Sequence, residues 1–153
     1  MKHILLFFTF LWAATAFGQK LELNEVDEFT GSINKRTKQI AFYAKMDGNG
    51  YIKVAKYNDS YRVHIAPNPK LGCAGVDDNN VIFLFEDGTT LKLENDLSPI
   101  DCGVFVFSKY QFNPNDFEGK VISKIRVQMG NAYRDFEWRT KRFTFNELIK
   151  AVE

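Results

Sequence analysis

The residue types best suited to covalent or metal chemistry are few in this chain: Cys73, Cys102 and, beyond the N-terminal segment, His64. A thiol nucleophile must escape pairing and have a base within reach. A zinc site needs three or four Cys, His or carboxylate ligands at characteristic spacing. Two thiols and one histidine supply neither pattern, and no Gly-x-Ser-x-Gly elbow or His-Glu-x-x-His pair occurs. Two carboxylates would suffice for a glycosidase, but nothing marks a pair among the 19 acids. The sequence therefore assigns no catalytic, cofactor-binding or metal-binding residue. "KMDGNGYIKVAK" echoes a calcium loop, yet with Gly50 in sixth place it puts Lys45 first and Lys56 twelfth, where acids are required. Val76 to Asn80, "VDDNN", could offer oxygen ligands to a weak surface calcium site, and reads first as an ordinary loop.

The N-terminus sets the compartment. "MKHILLFFTFLWAATAFGQK" places Lys2 before an apolar run from Ile4 to Ala14 and small residues at Ala14, Ala16 and Gly18. This is the pattern of a secretory signal peptide, cleaved after Ala16 or Gly18, and the run is too short to span a bilayer. Residues 1–18 are taken as the signal and 19–153 as a single domain without a further membrane-inserted segment. An even cysteine count in an exported chain reads as a disulfide, so Cys73 and Cys102 are predicted to pair. Loss of Lys2 with the signal leaves 19 basic and 19 acidic residues, a balance that favours neither nucleic acid nor an anionic membrane surface.

Period-two alternation then dictates the elements around those residues. "VIFLFEDGTTLKL" is a hairpin with Asp87-Gly88 as a two-residue type I′ turn, which pairs residues whose numbers sum to 175 and puts Ile82 and Leu84 opposite Leu93 and Leu91. Cys73 and Cys102 share that sum, and their closed loop would contribute about 3.5 kcal/mol. "SKIRVQMGNAYRDFEW" forms a second hairpin on a Gly130-Asn131 type II′ turn, setting Arg126 against Asp135, Lys124 against Glu137 and Ile125 against Phe136; Arg134 falls opposite Val127, its guanidinium reaching to an edge. "YIKVAKYNDSYRVHI" forms a third with a two-residue turn, leaving His64 beside Arg62, Lys53 and Ala55 as a solvated strand residue. Further strands are expected at Lys38 to Lys45 and Val104 to Lys109. Asn113-Pro114 opens a short helical turn, and "TFNELIKAVE" a helix with a Thr144/Glu147 capping box and a Phe145, Leu148, Ile149, Val152 stripe that docks on the Phe83/Phe85 side.

The expected fold is mainly β, a single antiparallel β-sandwich or partly open barrel of six to eight strands with a short C-terminal helix. Tyr43, Tyr51, Tyr57, Tyr61, Tyr110, Tyr133 and Trp138 could form a sugar or protein platform, or fill the core and its edges. "NDS" at Asn58 is a glycosylation acceptor only in a eukaryotic host.

"LNEVDEFTG" after the signal, the cysteine pair around "FEDGTTLKLEND", then "SKIRV" and the short final helix resemble uncharacterised small exported bacterial proteins across most of the mature chain. The resemblance implies a bacterial, periplasmic or secreted protein without glycans, and carries no activity or functional residues with it. The functional expectation is a non-catalytic binding or interaction domain for a protein or glycan. An inhibitor or immunity-type protein against an extracytoplasmic enzyme, presenting a loop such as Ala74 to Asn80, comes second, and a small carboxylate hydrolase third.

Overall fold

The structure is a computed structural model that describes residues 21–43, 48–69, 71–73, 79–96, 102–103, 107–137 and 144–153. Residues 1–20, which include the expected signal segment, residues 74–78 and Trp138 lie outside these. The described residues form ten antiparallel strands: β1 (Leu21–Val26), β2 (Ile33–Thr37), β3 (Ile40–Tyr43), β4 (Asn49–Tyr57), β5 (Ser60–Asn68), β6 (Asn80–Phe85), β7 (Thr90–Glu94), β8 (Ser108–Phe112), β9 (Ile122–Met129) and β10 (Ala132–Glu137). A 3-10 turn (Pro114–Phe117) and one helix, α1 (Phe145–Val152), complete them. The count exceeds the expected six to eight because β1 and β2 have no apolar alternation of their own and form by pairing with each other and with β4. The strand expected at Val104 to Lys109 runs instead over Ser108–Phe112, with residues 104–106 outside the described set.

The strands make two antiparallel layers that do not close into a barrel. One layer runs β1-β2-β4-β5-β8, the other β10-β9-β6-β7. Strand β3 shares an edge of β4 with β2 and meets β10 through the pair Glu137 and Tyr43. On the opposite side, among the described residues, Asn95 and Tyr110 form an isolated bridge between the layers. Between them lie Ile52, Val54, Val63 and Ile65 from the first layer and Val81, Phe83, Ile125 and Val127 from the second.

Two of the three predicted hairpins have the predicted register. Strands β4 and β5 pair Tyr57 with Ser60 across Asn58-Asp59, and β9 and β10 pair Arg126 with Asp135 and Ile125 with Phe136. Arg134 does reach an edge, where Nη1 donates to the Pro69 carbonyl at 2.8 Å. The β6–β7 hairpin is offset by one from the predicted register: Val81 faces Leu93 and Phe83 faces Leu91. The cause is a three-residue loop. The Gly88 amide donates to the Phe85 carbonyl at 3.1 Å and the Phe85 amide to the Thr89 carbonyl at 2.9 Å, with Gly88 at φ 82°. A type I turn followed by a left-handed residue is the commonest three-residue closure. It also puts Val81, Phe83, Leu91 and Leu93 together on the buried side.

The helix docks as its stripe requires. Phe145, Leu148, Ile149 and Val152 are all buried, and Phe145 packs on Phe117 at 4.4 Å and on Phe83 at 5.7 Å between ring centroids. Both arms of the capping box form, Thr144 Oγ1 accepting from the Glu147 amide and Glu147 Oε2 from the Thr144 amide. Gly50 has a packing role: a Cβ there would clash with the ring of Phe42, its cross-strand partner.

Where β4 changes partner from β2 to β3, the Val54 amide loses its strand acceptor, and the buried Thr37 Oγ1 accepts from it at 3.0 Å. Thr37→Val keeps the shape and removes the acceptor, so it should lower the unfolding free energy by about 1–3 kcal/mol in urea denaturation, while Thr37→Ser should retain most of it. Equal stability of the valine variant would show that the amide is satisfied elsewhere.

Candidate functional site

The cysteines are joined: Cys73 and Cys102 form a disulfide with S–S 2.01 Å, and no free cysteine remains. Asn79, buried, ties this crosslink to the second layer, Nδ2 donating to the Cys73 carbonyl and Oδ1 accepting from the Gly130 amide. Asn79 and Asn80 are buried, and Ala74 to Asp78 lie outside the described residues. Among the described residues no three His, Cys, Asp or Glu side chains group to hold a metal ion.

Tyr57, Tyr61, Tyr110 and Tyr133 do not gather on one surface. Tyr110 is fully buried, Tyr61 packs at the core edge 6.0 Å from Phe112, Tyr57 lies exposed on the first layer, and Tyr133 lies exposed on the second beneath the Arg126 guanidinium. The side chain of Tyr43 falls outside the described set. Among the described residues, the carboxylates with shifted acidity lie below their ordinary range: Asp135 through its hydrogen bonds with Arg126, Asp27 and Asp87 through amide and hydroxyl donors of their own turns. Each of the three is held as an anion, the opposite of a general acid poised near neutrality.

His64 is not the solvated residue expected from the hairpin alone. Its strand is interior to the layer, so Lys53 on β4 and Lys109 on β8 flank it, with Arg36 and Arg62 in the adjoining row around Ala55. Burial first, then these four cations, push the imidazole down to about 3 from its ordinary 6.5. Finding this face from sequence required the order β2-β4-β5-β8, of which only the β4–β5 pair was legible.

At the far end of the first layer, the β1–β2 hairpin carries the most exposed apolar group described. Phe29 is 99% exposed, with Val26 at 61% and Ile33 at 39% on the strands below it. The loop that holds it is closely tied. Asp27 Oδ1 accepts from the Phe29 amide at 2.9 Å and the Thr30 amide at 2.8 Å, and the Asp27 amide donates to the Ser32 carbonyl at 2.9 Å. The Gly31 amide donates to the Asp27 carbonyl at 2.7 Å, from a left-handed φ of 69°. The sequence signal was present in "VDEFTG", an acid four residues before a glycine, though it lacked the flanking alternation that would mark a hairpin. Asn58, in the glycosylation motif, braces this hairpin, Oδ1 accepting from the Ile33 amide at 2.9 Å.

Set against protein-family models, characterised proteins and solved structures, the chain matches none.

The His64 environment has a measurable consequence. Between about 3 and 6.5 the unfolded chain binds a proton at this residue that the folded chain refuses, so stability rises with pH across that window. Urea unfolding free energy should fall as pH drops from 7 to 4, by a ceiling of about 3 kcal/mol from this residue. His64→Gln should flatten that slope, leaving acid loss below about pH 4, where the carboxylates protonate. Parallel slopes for the two proteins would place the acid sensitivity elsewhere.

Proposed function

We propose that this chain is an exported, non-catalytic interaction domain that docks a protein partner through the tip of the β1–β2 hairpin. The observation that carries the reading is Phe29, almost wholly exposed on a loop whose backbone is fixed by Asp27. An ordered, solvated aromatic forgoes about 1.5–3 kcal/mol that burial would return, and pre-organisation removes the ordering cost of using it. Its neighbours along the chain are acidic, Glu25, Asp27 and Glu28, while Lys56 and Asp59 lie beside Thr30 to Ile33 on the other flank, so the complementary surface is an apolar pocket with a basic rim toward the acidic side.

The disulfide suits an oxidising compartment, and no helix among the described residues is long and apolar enough to cross a membrane. With the leader-like N-terminus, these support export, and the resemblance to small exported bacterial proteins supports a periplasmic or secreted bacterial setting. Rigid loop display also suits an inhibitor or immunity-type protein against an extracytoplasmic enzyme; loss of the partner's turnover on binding would identify that form.

A photo-crosslinking residue at position 29 in the producing cell should trap a defined partner that unlabelled protein competes away. Phe29→Ala should weaken its binding about 10–100-fold, the equivalent of 1.5–3 kcal/mol. Asp27→Ala should weaken it too, by loosening the loop, whereas Tyr133→Ala on the other layer should not. Unchanged affinity of the Phe29 variant would overturn the reading.

A further inference from the structure

Strand β1 ends the first layer: it pairs with β2, and among the described residues nothing pairs with its other edge. The direction of its main-chain groups follows from Ile33. The Ile33 carbonyl accepts from the Asn58 amide at 2.9 Å, and its own amide donates to Asn58 Oδ1 at 2.9 Å. Ile33 therefore turns its main chain away from Val26, its partner on β1. Bonded and non-bonded pairs alternate along an antiparallel ladder. Glu25 is thus bonded to Asn34, whereas Asn24 and Val26 direct their N–H and C=O groups to the open edge. The bulge lies at the other end of β1, between Leu21 and Leu23, and leaves residues 23–26 in unbroken register.

An edge of this kind specifies the backbone of its occupant. Donors and acceptors that repeat at every second residue match another extended chain. Edges that must stay empty are commonly blunted by lysine, proline or a bulge within the exposed stretch, and residues 23–26 carry none of these. Their side chains are apolar and acidic. Val26, 61% exposed, shares the core side of the hairpin with Ile33, and Glu25 stands on the outer side with Asn34. Glu25 and Glu28 are exposed and make no ion pair among the described residues. Lys56 belongs to the opposite flank, where β2 meets β4. A second copy of this chain fits poorly. Two-fold antiparallel pairing about Glu25 or Val26 sets Glu25 against itself or against Asp27, and pairing about Asn24 runs into the bulge.

We propose that the open edge of β1 takes an added strand, an extended segment of a protein partner that alternates basic residues, on the side of Glu25, with apolar residues, on the side of Val26. The inference rests on the reading of the Phe29 tip as a docking point and carries the contact from the tip along the edge. Main-chain bonds to Asn24 and Val26 supply the register, and the side chains on the two faces supply the selectivity.

The probe is a capped heptapeptide of alternating lysine and valine, titrated into the full mature chain and followed by NMR and amide hydrogen exchange. At saturation the Asn24 and Val26 amides should exchange at least about tenfold more slowly. The same peptide with alternate N-methyl groups keeps its charge but cannot pair, and it should bind at least about tenfold more weakly; a glutamate-valine peptide should not bind. Asn24→Pro removes an outward amide and leaves the β1–β2 ladder whole, so it should weaken binding about tenfold with an unchanged circular dichroism spectrum. Equal binding of the N-methylated peptide, or unchanged exchange at Asn24 and Val26, would overturn the proposal. So would a dimer in sedimentation that Asn24→Pro dissociates, since a second copy would then hold the edge. For the partner trapped at position 29, weaker binding with both Phe29→Ala and Asn24→Pro supports the added strand. Weaker binding with Phe29→Ala alone leaves the tip and removes the strand, and an effect of neither removes both.

Discussion

An amide without a strand partner sits at the centre of this fold. Strand β4 pairs along its length with β5, but its other edge is divided, Ala55 to Tyr57 going to β2 and Asn49 to Ile52 to β3. Between those stretches the Val54 N–H faces the break, buried, where an unmet donor costs about 1–3 kcal/mol. The Thr37 hydroxyl fills that place, and doing so permits the chain to leave one edge in two directions. Strand β2 carries it outward to β1 and the Phe29 loop, while β3 carries it across to β10 and the second layer. Both candidate surfaces therefore rest on a division of one strand edge that a single side chain makes tolerable.

The second requirement is closure of the open end between the layers. Phe117 supplies the centre of the seal, its ring meeting Phe83, Phe85, Phe112 and Phe145 at centroid distances from 4.4 to 5.8 Å, three of them edge to face. Such geometry suits aromatic quadrupoles and adds to the area buried. An eight-residue helix would be marginal in water on its own. Here it persists because its stripe completes this cluster, its first turn is capped, and Lys35 Nζ donates to the Glu153 carbonyl at 2.8 Å from β2.

Legibility in the sequence followed local alternation. The β4–β5 and β9–β10 hairpins could be registered because each has one apolar and one polar face and a two-residue turn, so a slip would mix them. The β6–β7 hairpin has apolar residues on both faces, Ile82 and Leu84 as well as Val81 and Phe83, and Asp87-Gly88 closes a two- or a three-residue loop equally well at the local level. There the core decided, not the turn. Strands β1 and β2, "LELNEV" and "INKRT", are mostly polar and become strands only through their neighbours. Hence the Phe29 tip and the Arg36 row were invisible as surfaces, although every residue in them could be read.

A bulge in β1 links these two regions physically. The register shift between Leu21 and Leu23 sets Leu21 opposite Thr37, on the core side, and Leu23 opposite Arg36, on the outer side. Without it, two leucines of equal parity would fall on one face. With it, Glu22 stands at the extra position, and its carboxylate reaches both Arg36 and Lys53. Bulges re-aim side chains and strengthen local twist. The one extra residue thus lets Leu21 pack on the core at the base of the hairpin while Leu23 turns outward, and it sets one carboxylate between Arg36 and Lys53 on the outer face.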